Sequence, residues 1–318
     1  APLRQIAFGR PAVEIERCAD GTIYLRSRSG IGAHAPRLTD RLCHFAREAP
    51  ARVFMAERQG EGWRKVAYAG MLDAARAVAS ALLARGLSAE RPVVILSGNS
   101  VDHALVAFGA LLAGVPFCPV SPAYSLVSRD YGKLAAIMAL LTPGLVFADD
   151  ATAFADALSA TVPEDVEIAA SRGAVEGRPV TRLDDLLATS EHPELDARHA
   201  AIGPDSIAKF LLTSGSTGRP KAVINTQRML CANQVMLRDT LAFLKDEPPV
   251  IVDWLPWNHT FGGNHNIGLT LYNGGSLYLD DGRPLPGGIE ATVRNLREIA
   301  PTVYFNVPKG FESLLPYF

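Results

Sequence analysis

Short apolar runs alternating with helical stretches constrain this chain more than any other feature. Residues 92–96 and 115–120 are continuous apolar runs. Runs without polar alternation mark strands buried on both faces. Between them Ser97-Gly98-Asn99-Ser100 turns the chain, with Asn99 and Ser100 read as turn and cap residues. Residues 101–113 then read as a helix closed by Gly114. Downstream, 128–141 reads as helix, 144–148 as strand, 151–160 as helix and 166–170 as strand. Upstream, Leu38, Leu42 and Phe45 repeat at helical spacing, and 69–85 is an alanine-dense helix ending before Gly86. The scheme resumes with strands at 207–212 and 222–225, a helix at 227–244 and a strand at 249–254. After these come a helix at 264–272, a strand at 276–279, a helix at 289–299, a strand at 302–306 and a helix at 309–315. This alternation predicts an α/β fold: two successive, mostly parallel sheets covered by helices. Ligands then gather beyond the carboxyl ends of the strands.

Residues 1–36 lack a helical period. Strand-like runs at 12–16 and 22–26 flank Asp20-Gly21, which predicts a hairpin serving as an N-terminal flap. The expected organisation is therefore 1–36 as hairpin, 37–204 as a first α/β subdomain and 205–318 as a second. The stretch 170–204, with mixed charges, prolines and a short helix at 183–188, connects the halves. A net charge of −2 gives no electrostatic reason to expect a nucleic-acid partner. No apolar run approaches membrane-spanning length, so no membrane partner is expected. The four cysteines, Cys18, Cys43, Cys118 and Cys231, are far apart and form no C-x-x-C pair. They read as reduced thiols of a cytoplasmic protein, without a zinc site.

The chemistry concentrates after the run 207–212. Leu212-Thr213-Ser214-Gly215-Ser216-Thr217-Gly218-Arg219-Pro220-Lys221 is a hydroxyl-rich hairpin loop ending in a lysine. Glycines free the backbone to turn, while hydroxyls, amides and a point charge suit phosphate oxygens. The residues assigned to a triphosphate are Thr213, Ser214, Gly215, Ser216, Thr217, Gly218 and Lys221. A P-loop is excluded by spacing: the glycines are three apart, Pro220 precedes the lysine, and Ala222 stands where a magnesium-binding hydroxyl is required. The plainer alternative is a surface turn without a ligand.

A second segment, Leu255-Pro256-Trp257-Asn258-His259-Thr260-Phe261-Gly262, follows a strand end. His259 is the candidate for orienting a carboxylate. Trp257, His259, Phe261 and Gly262 form the candidate substrate pocket, although Trp254 and Trp257 are residues more often found in cores. Gly262 and Gly263 either leave space for a flat aryl group or only permit a tight turn. Asn264 and His265 face either the pocket or solvent. Asp149-Asp150 and Asp280-Asp281 end strands and read as solvated turn carboxylates, so no metal ligand is assigned.

The two motifs, in this order, resemble the signatures of the adenylate-forming superfamily of acyl-CoA synthetases, luciferases and peptide-synthetase adenylation domains. Gly98-Asn99-Ser100, the stretches 120–126 and 221–230, the stretch 252–266, and Thr302-Val303-Tyr304-Phe305-Asn306-Val307-Pro308-Lys309-Gly310 are most similar to bacterial feruloyl-CoA synthetases. The resemblance implies ATP-dependent activation of a hydroxycinnamate such as ferulate, first to an acyl-AMP and then to a CoA thioester. It implies ATP, Mg2+ and CoA as cofactors, and a small-molecule carboxylic acid as partner. It also implies Lys221 and His259 as catalytic residues. No Tyr-Gly-x-Thr-Glu segment, ribose-binding aspartate or hinge occurs here. The resemblance therefore implies an N-terminal fragment whose own C-terminal domain is a missing partner and which is inactive alone. Other readings are a fatty- or benzoic-acid CoA ligase, a carrier-protein adenylating enzyme and a non-catalytic nucleotide-binding module.

Overall fold

The computed structural model describes residues 5–10, 12–213, 220–285 and 287–317. An exposed antiparallel hairpin, β1 (Val13–Arg17) and β2 (Ile23–Ser27), occupies the expected place. Then follow β3 (Val53–Gln59), β4 (Gly62–Ala67), β5 (Val93–Leu96), β6 (Phe117–Val120) and β7 (Leu145–Asp150). The remaining strands are β8 (Glu167–Arg172), β9 (Val180–Arg182), β10 (Ile207–Thr213), β11 (Lys221–Thr226), β12 (Val250–Asp253) and β13 (Ser276–Leu279).

The α/β class holds, and both sheets are mostly parallel. A seven-stranded sheet runs β11-β10-β6-β5-β7-β8-β9, with only the β10–β11 pair antiparallel. A four-stranded sheet runs β12-β13-β3-β4, with only the β3–β4 pair antiparallel. The sheets are not successive along the chain, however. β10 and β11 join the first-half strands, while β3 and β4 join β12 and β13, so strands from both sides of residue 204 build each sheet.

Pleating explains how the larger sheet is covered. Val93 and Ile95 of β5 enter one core with the helices Tyr68–Ala84 and Val101–Ala113; Val94 and Leu96 enter another with Gly132–Leu141 and Ala155–Thr161. Phe54, Met55, Ile251 and Leu277 of the smaller sheet belong to the first core. The helices 68–84 and 101–113 are thus a layer between two sheets. Ser100 caps the second of them by accepting from the His103 amide at 3.0 Å, and Gly114 closes it at φ 72°.

Several expected boundaries shift, and two differences matter most. The helix expected from 128 begins at Gly132, after Tyr131 turns the chain at φ 50°. The strand expected at 302–306 does not form. The amides of Thr302 and Val303 both donate to one carbonyl, that of Val250, at 3.0 and 3.4 Å. Two donors converging on one acceptor cannot continue as a ladder. Side chains hold this segment instead: Trp254 Nε1 donates to Asn306 Oδ1, and Asn306 Nδ2 to the Tyr304 hydroxyl.

Candidate active site

Parallel strands place their carboxyl ends on one edge, and a cleft of about 560 Å³ opens there between the sheets. Ser97 to Asn99 follow β5, and Ser121 to Ala123 follow β6. Trp254, Pro256, Asn258 and His259 follow β12, and Asp280, Asp281 and Arg283 follow β13. β10 runs parallel to β6, so its end at Thr213 points the same way. Thr213 pairs in register with Lys221 at the start of β11. These two exposed residues form the stem of the Ser/Gly loop. Ser214, Gly215, Ser216, Thr217 and Gly218 lie outside the described residues.

The His259 segment is anchored from beneath. Asp253 ends β12, is 1% exposed, and accepts the Leu255 amide at 3.0 Å. Burial pushes its carboxyl up to about 7. Asn99 reaches across from the other sheet: its Nδ2 donates to the Leu255 carbonyl at 2.8 Å, and its Oδ1 accepts the Trp257 amide at 3.1 Å. One amide side chain thereby fixes the histidine-bearing loop to the end of β5.

The four residues of the expected substrate pocket do not meet in one space. His259 is exposed in the outer cleft. Trp257 points the other way, 3% exposed, with its ring 4.9 Å from that of His103. Phe261 lines neither space and packs edge-on against His265 at 5.2 Å and Phe305 at 6.3 Å. Gly262 and Gly263 leave no room. A Cβ on Gly262 would stand 2.3 Å from the Leu255 carbonyl oxygen, and one on Gly263 2.1 Å from that of Trp257. They let a π-helical turn, Phe261–Asn266, pack against the preceding loop. Asn264 meets neither expectation fully, since it is half-buried and bonded within the protein. It lines an inner cavity while its Nδ2 donates outward to Asn225 Oδ1 at 2.9 Å.

The inner cavity, of about 30 Å³, lies on the far side of the same segment. Its walls are largely apolar, with Leu38, Ala107, Phe108, Leu111 and Phe117 among them. It also holds Lys209 of β10, which is 4% exposed and donates to the Gly263 carbonyl at 3.0 Å. Burial drags the Lys209 pKa from 10.5 to about 7. His103 faces the same space, and burial holds it down to about 4, so it is neutral and donates through Nδ1 to the Gly98 carbonyl at 3.0 Å. Reading 207–212 as an apolar run passed over Lys209, although a lysine inside a buried strand is itself a signal. Asn99, taken as a turn residue, left no such mark.

The aspartate pairs end strands at partly exposed turns, as expected, and their carboxylates are also held by neighbouring groups. Asp280 accepts from the Gly282 amide, Thr292 Oγ1 and Asn295 Nδ2. Asp150 accepts from the amides of Thr152 and Ala153 and from Arg172. Among the described residues no three His, Cys, Asp or Glu side chains cluster as a metal site.

The sequence profile of AMP-binding enzymes matches residues 42–317. The chain belongs to the AMP-binding enzyme family. One relative by sequence is the "3-[(3aS,4S,7aS)-7a-methyl-1,5-dioxo-octahydro-1H-inden-4-yl]propanoyl:CoA ligase" of Rhodococcus jostii. It is 26% identical over 223 residues, covering 68% of this chain and 43% of that protein. Another, the long-chain-fatty-acid–CoA ligase heimdall of Drosophila melanogaster, is 25% identical over 291 residues, covering 88% and 42%. The chain spans less than half the length of these relatives. Among solved structures, ATP-bound MatB from Rhodopseudomonas palustris is similar, with a TM-score of 0.70 at 26% identity over 88% of this chain and 51% of that one.

Proposed function

We propose that this AMP-binding enzyme activates an aryl carboxylic acid, a hydroxycinnamate such as ferulate, with ATP and then passes the acyl group to CoA. In the first step a carboxylate oxygen attacks the α-phosphorus, the bond to the bridging oxygen breaks, and pyrophosphate leaves. In the second the CoA thiolate attacks the acyl carbonyl and AMP leaves. Two anions have to meet in the first step, so charge neutralisation and alignment dominate catalysis.

The observation that carries this reading is the outer cleft. The Thr213–Lys221 stem and the His259 segment end on the same edge of two parallel sheets. Lys221 then neutralises the β- and γ-phosphates, which arrive with Mg2+, and His259 meets the acid's carboxylate. A fatty acid is the competing substrate, as for the long-chain-fatty-acid–CoA ligase of Drosophila melanogaster. The aryl reading rests on the resemblance of residues 252–266 and 302–310 to feruloyl-CoA synthetases.

The test is ATP–pyrophosphate exchange by the full-length enzyme that contains these residues, with ferulate, coumarate, caffeate, benzoate and medium-chain fatty acids. Hydroxycinnamates are expected to give the highest specificity constants, and added CoA to draw off the adenylate as thioester. A clear preference for fatty acids overturns the substrate, and exchange with none of these acids overturns the reaction.

A further inference from the structure

The segment 256–264 is a wall with two faces. Pro256, Asn258 and His259 face the outer cleft, while Trp257, Gly263 and Asn264 face the inner cavity. The segment therefore separates the space that His259 faces from the one that holds Lys209.

The inner cavity holds a set of polar groups that apolar contact leaves unmatched. Among the described residues no carboxylate pairs with Lys209; its ammonium donates to the Gly263 carbonyl and lies 5.3 Å from the centre of the Phe117 ring. Three lining residues carry a buried side-chain atom without a hydrogen-bond partner: Trp257 Nε1, Gln234 Oε1 and Asn264 Oδ1. The amide orientations follow from what the other ends do. Gln234 Nε2 donates to the Asn264 carbonyl at 3.1 Å, and Asn264 Nδ2 donates to Asn225 Oδ1. The remaining atoms are therefore acceptors. The lining offers donors from lysine and tryptophan together with acceptors from two amides. A hydroxyl group both donates and accepts, so it satisfies such a mixed set. A carboxylate only accepts and would oppose the two amide oxygens. A methyl group satisfies none, and leaving buried polar atoms unmatched is what makes such sites discriminate.

We propose that the inner cavity receives the hydroxyl-bearing far end of the acid, and that Lys209 is the specificity-determining residue that reads this hydroxyl. The substrate class is then an acid with a hydroxyl opposite its carboxylate, as in a 4-hydroxyaryl acid. The proposal rests on the adenylating reading above. A void of about 30 Å³ matches a tip of one or two water-sized groups. The void holds only the tip, so binding of the ring requires the 256–264 wall to shift.

The experiment compares the full-length wild-type enzyme with its Lys209→Met and Trp257→Phe variants in ATP–pyrophosphate exchange, using 4-hydroxycinnamate, 4-methoxycinnamate and cinnamate. In the wild type the 4-hydroxy acid is expected to exceed the other two by about tenfold or more in specificity constant. Lys209→Met should bring that ratio close to one while the KM for ATP stays within about twofold. Trp257→Phe removes the N–H together with part of the indole while keeping a ring against His103, and should lower the ratio partway; it decides the matter if the methionine variant does not fold. A ratio that survives both substitutions, or equal losses for all three acids, overturns the role of Lys209. A wild type that adenylates aryl acids without preferring the hydroxyl overturns this inference and leaves the reaction standing. A wild type that adenylates no aryl acid overturns the functional reading itself.

Discussion

Replacing Lys209 by methionine should stabilise the folded chain at neutral pH, although it deletes a hydrogen bond. Unfolded, the lysine binds its proton with a pKa of 10.5; folded, burial brings this to about 7. Between those values the unfolded chain holds more protons, so wild-type stability rises with pH across that window. At about 1.4 kcal/mol per pH unit, the displacement costs the folded state about 4–5 kcal/mol near pH 7 and about 2 kcal/mol near pH 9. Methionine fills a similar volume without this cost. It forfeits the bond to the Gly263 carbonyl, which leaves an acceptor unmatched at about 1–2 kcal/mol. The variant should therefore gain about 2–3 kcal/mol near pH 7 and nothing near pH 9. Urea unfolding of both proteins at the two pH values measures the difference, with circular dichroism as probe. A gap between variant and wild type that does not change with pH would refute the reasoning, because hydrogen bonding and packing alone predict a constant one.

Lys221→Ala should raise the apparent KM for ATP and lower the exchange rate by a combined 10- to 100-fold, about 1.5–3 kcal/mol for one charge-assisted contact; unchanged exchange kinetics would remove Lys221 from the phosphate site, and Lys221→Arg should rescue poorly because a planar fork is not a point charge. Asn99→Ala deletes both bonds to the 255–257 loop and should cost about 2 kcal/mol in denaturant stability, with adenylation falling more than ATP affinity; equal falls would mean that the loop does not orient the acid. His103 is held at about 4 against 6.5, so the unfolded chain takes its proton first as pH drops and stability is lost through that window. His103→Gln should flatten the acid side of the stability profile by about 3 kcal/mol between pH 6.5 and pH 4, and an unaltered profile would show that His103 is not the group responsible.

Legibility in the sequence followed the strength of the local pattern. β5, β6 and the intervening helix were readable because apolar runs, Ser100 and Gly114 all pointed to the same boundaries. The β3–β4 hairpin went unread: Glu57, Arg58, Arg64 and Lys65 interrupt its apolar positions, and its partner β13 lies far along the chain. Burial there comes from tertiary packing, which no local window contains. The site divided in the same way. Thr213 and Lys221 stood out through spacing, and the register pairs them across the β10–β11 hairpin. The division of 256–264 into two faces was not legible, because a π-turn shifts the helical period on which such a reading depends. Glycines that looked like space turned out to be contact, since only the fold brings the carbonyls of Leu255 and Trp257 against them.

The interlacing of the two sheets sets a timetable for the nascent polypeptide. Met55 finds its partner Leu277 only after about 220 more residues have been added. At bacterial-to-eukaryotic ribosomal speeds of about 5–20 residues per second, that is a wait of roughly 10–45 seconds. Throughout it the inner edge of β3 has nothing to pair with, while β5 to β8 can already form the centre of the other sheet. Unpaired edges are what chaperones cover and what aggregation exploits. Slowing translation between β4 and β13 should therefore lower the soluble yield of this protein, whereas slowing it within β5 to β8 should matter far less.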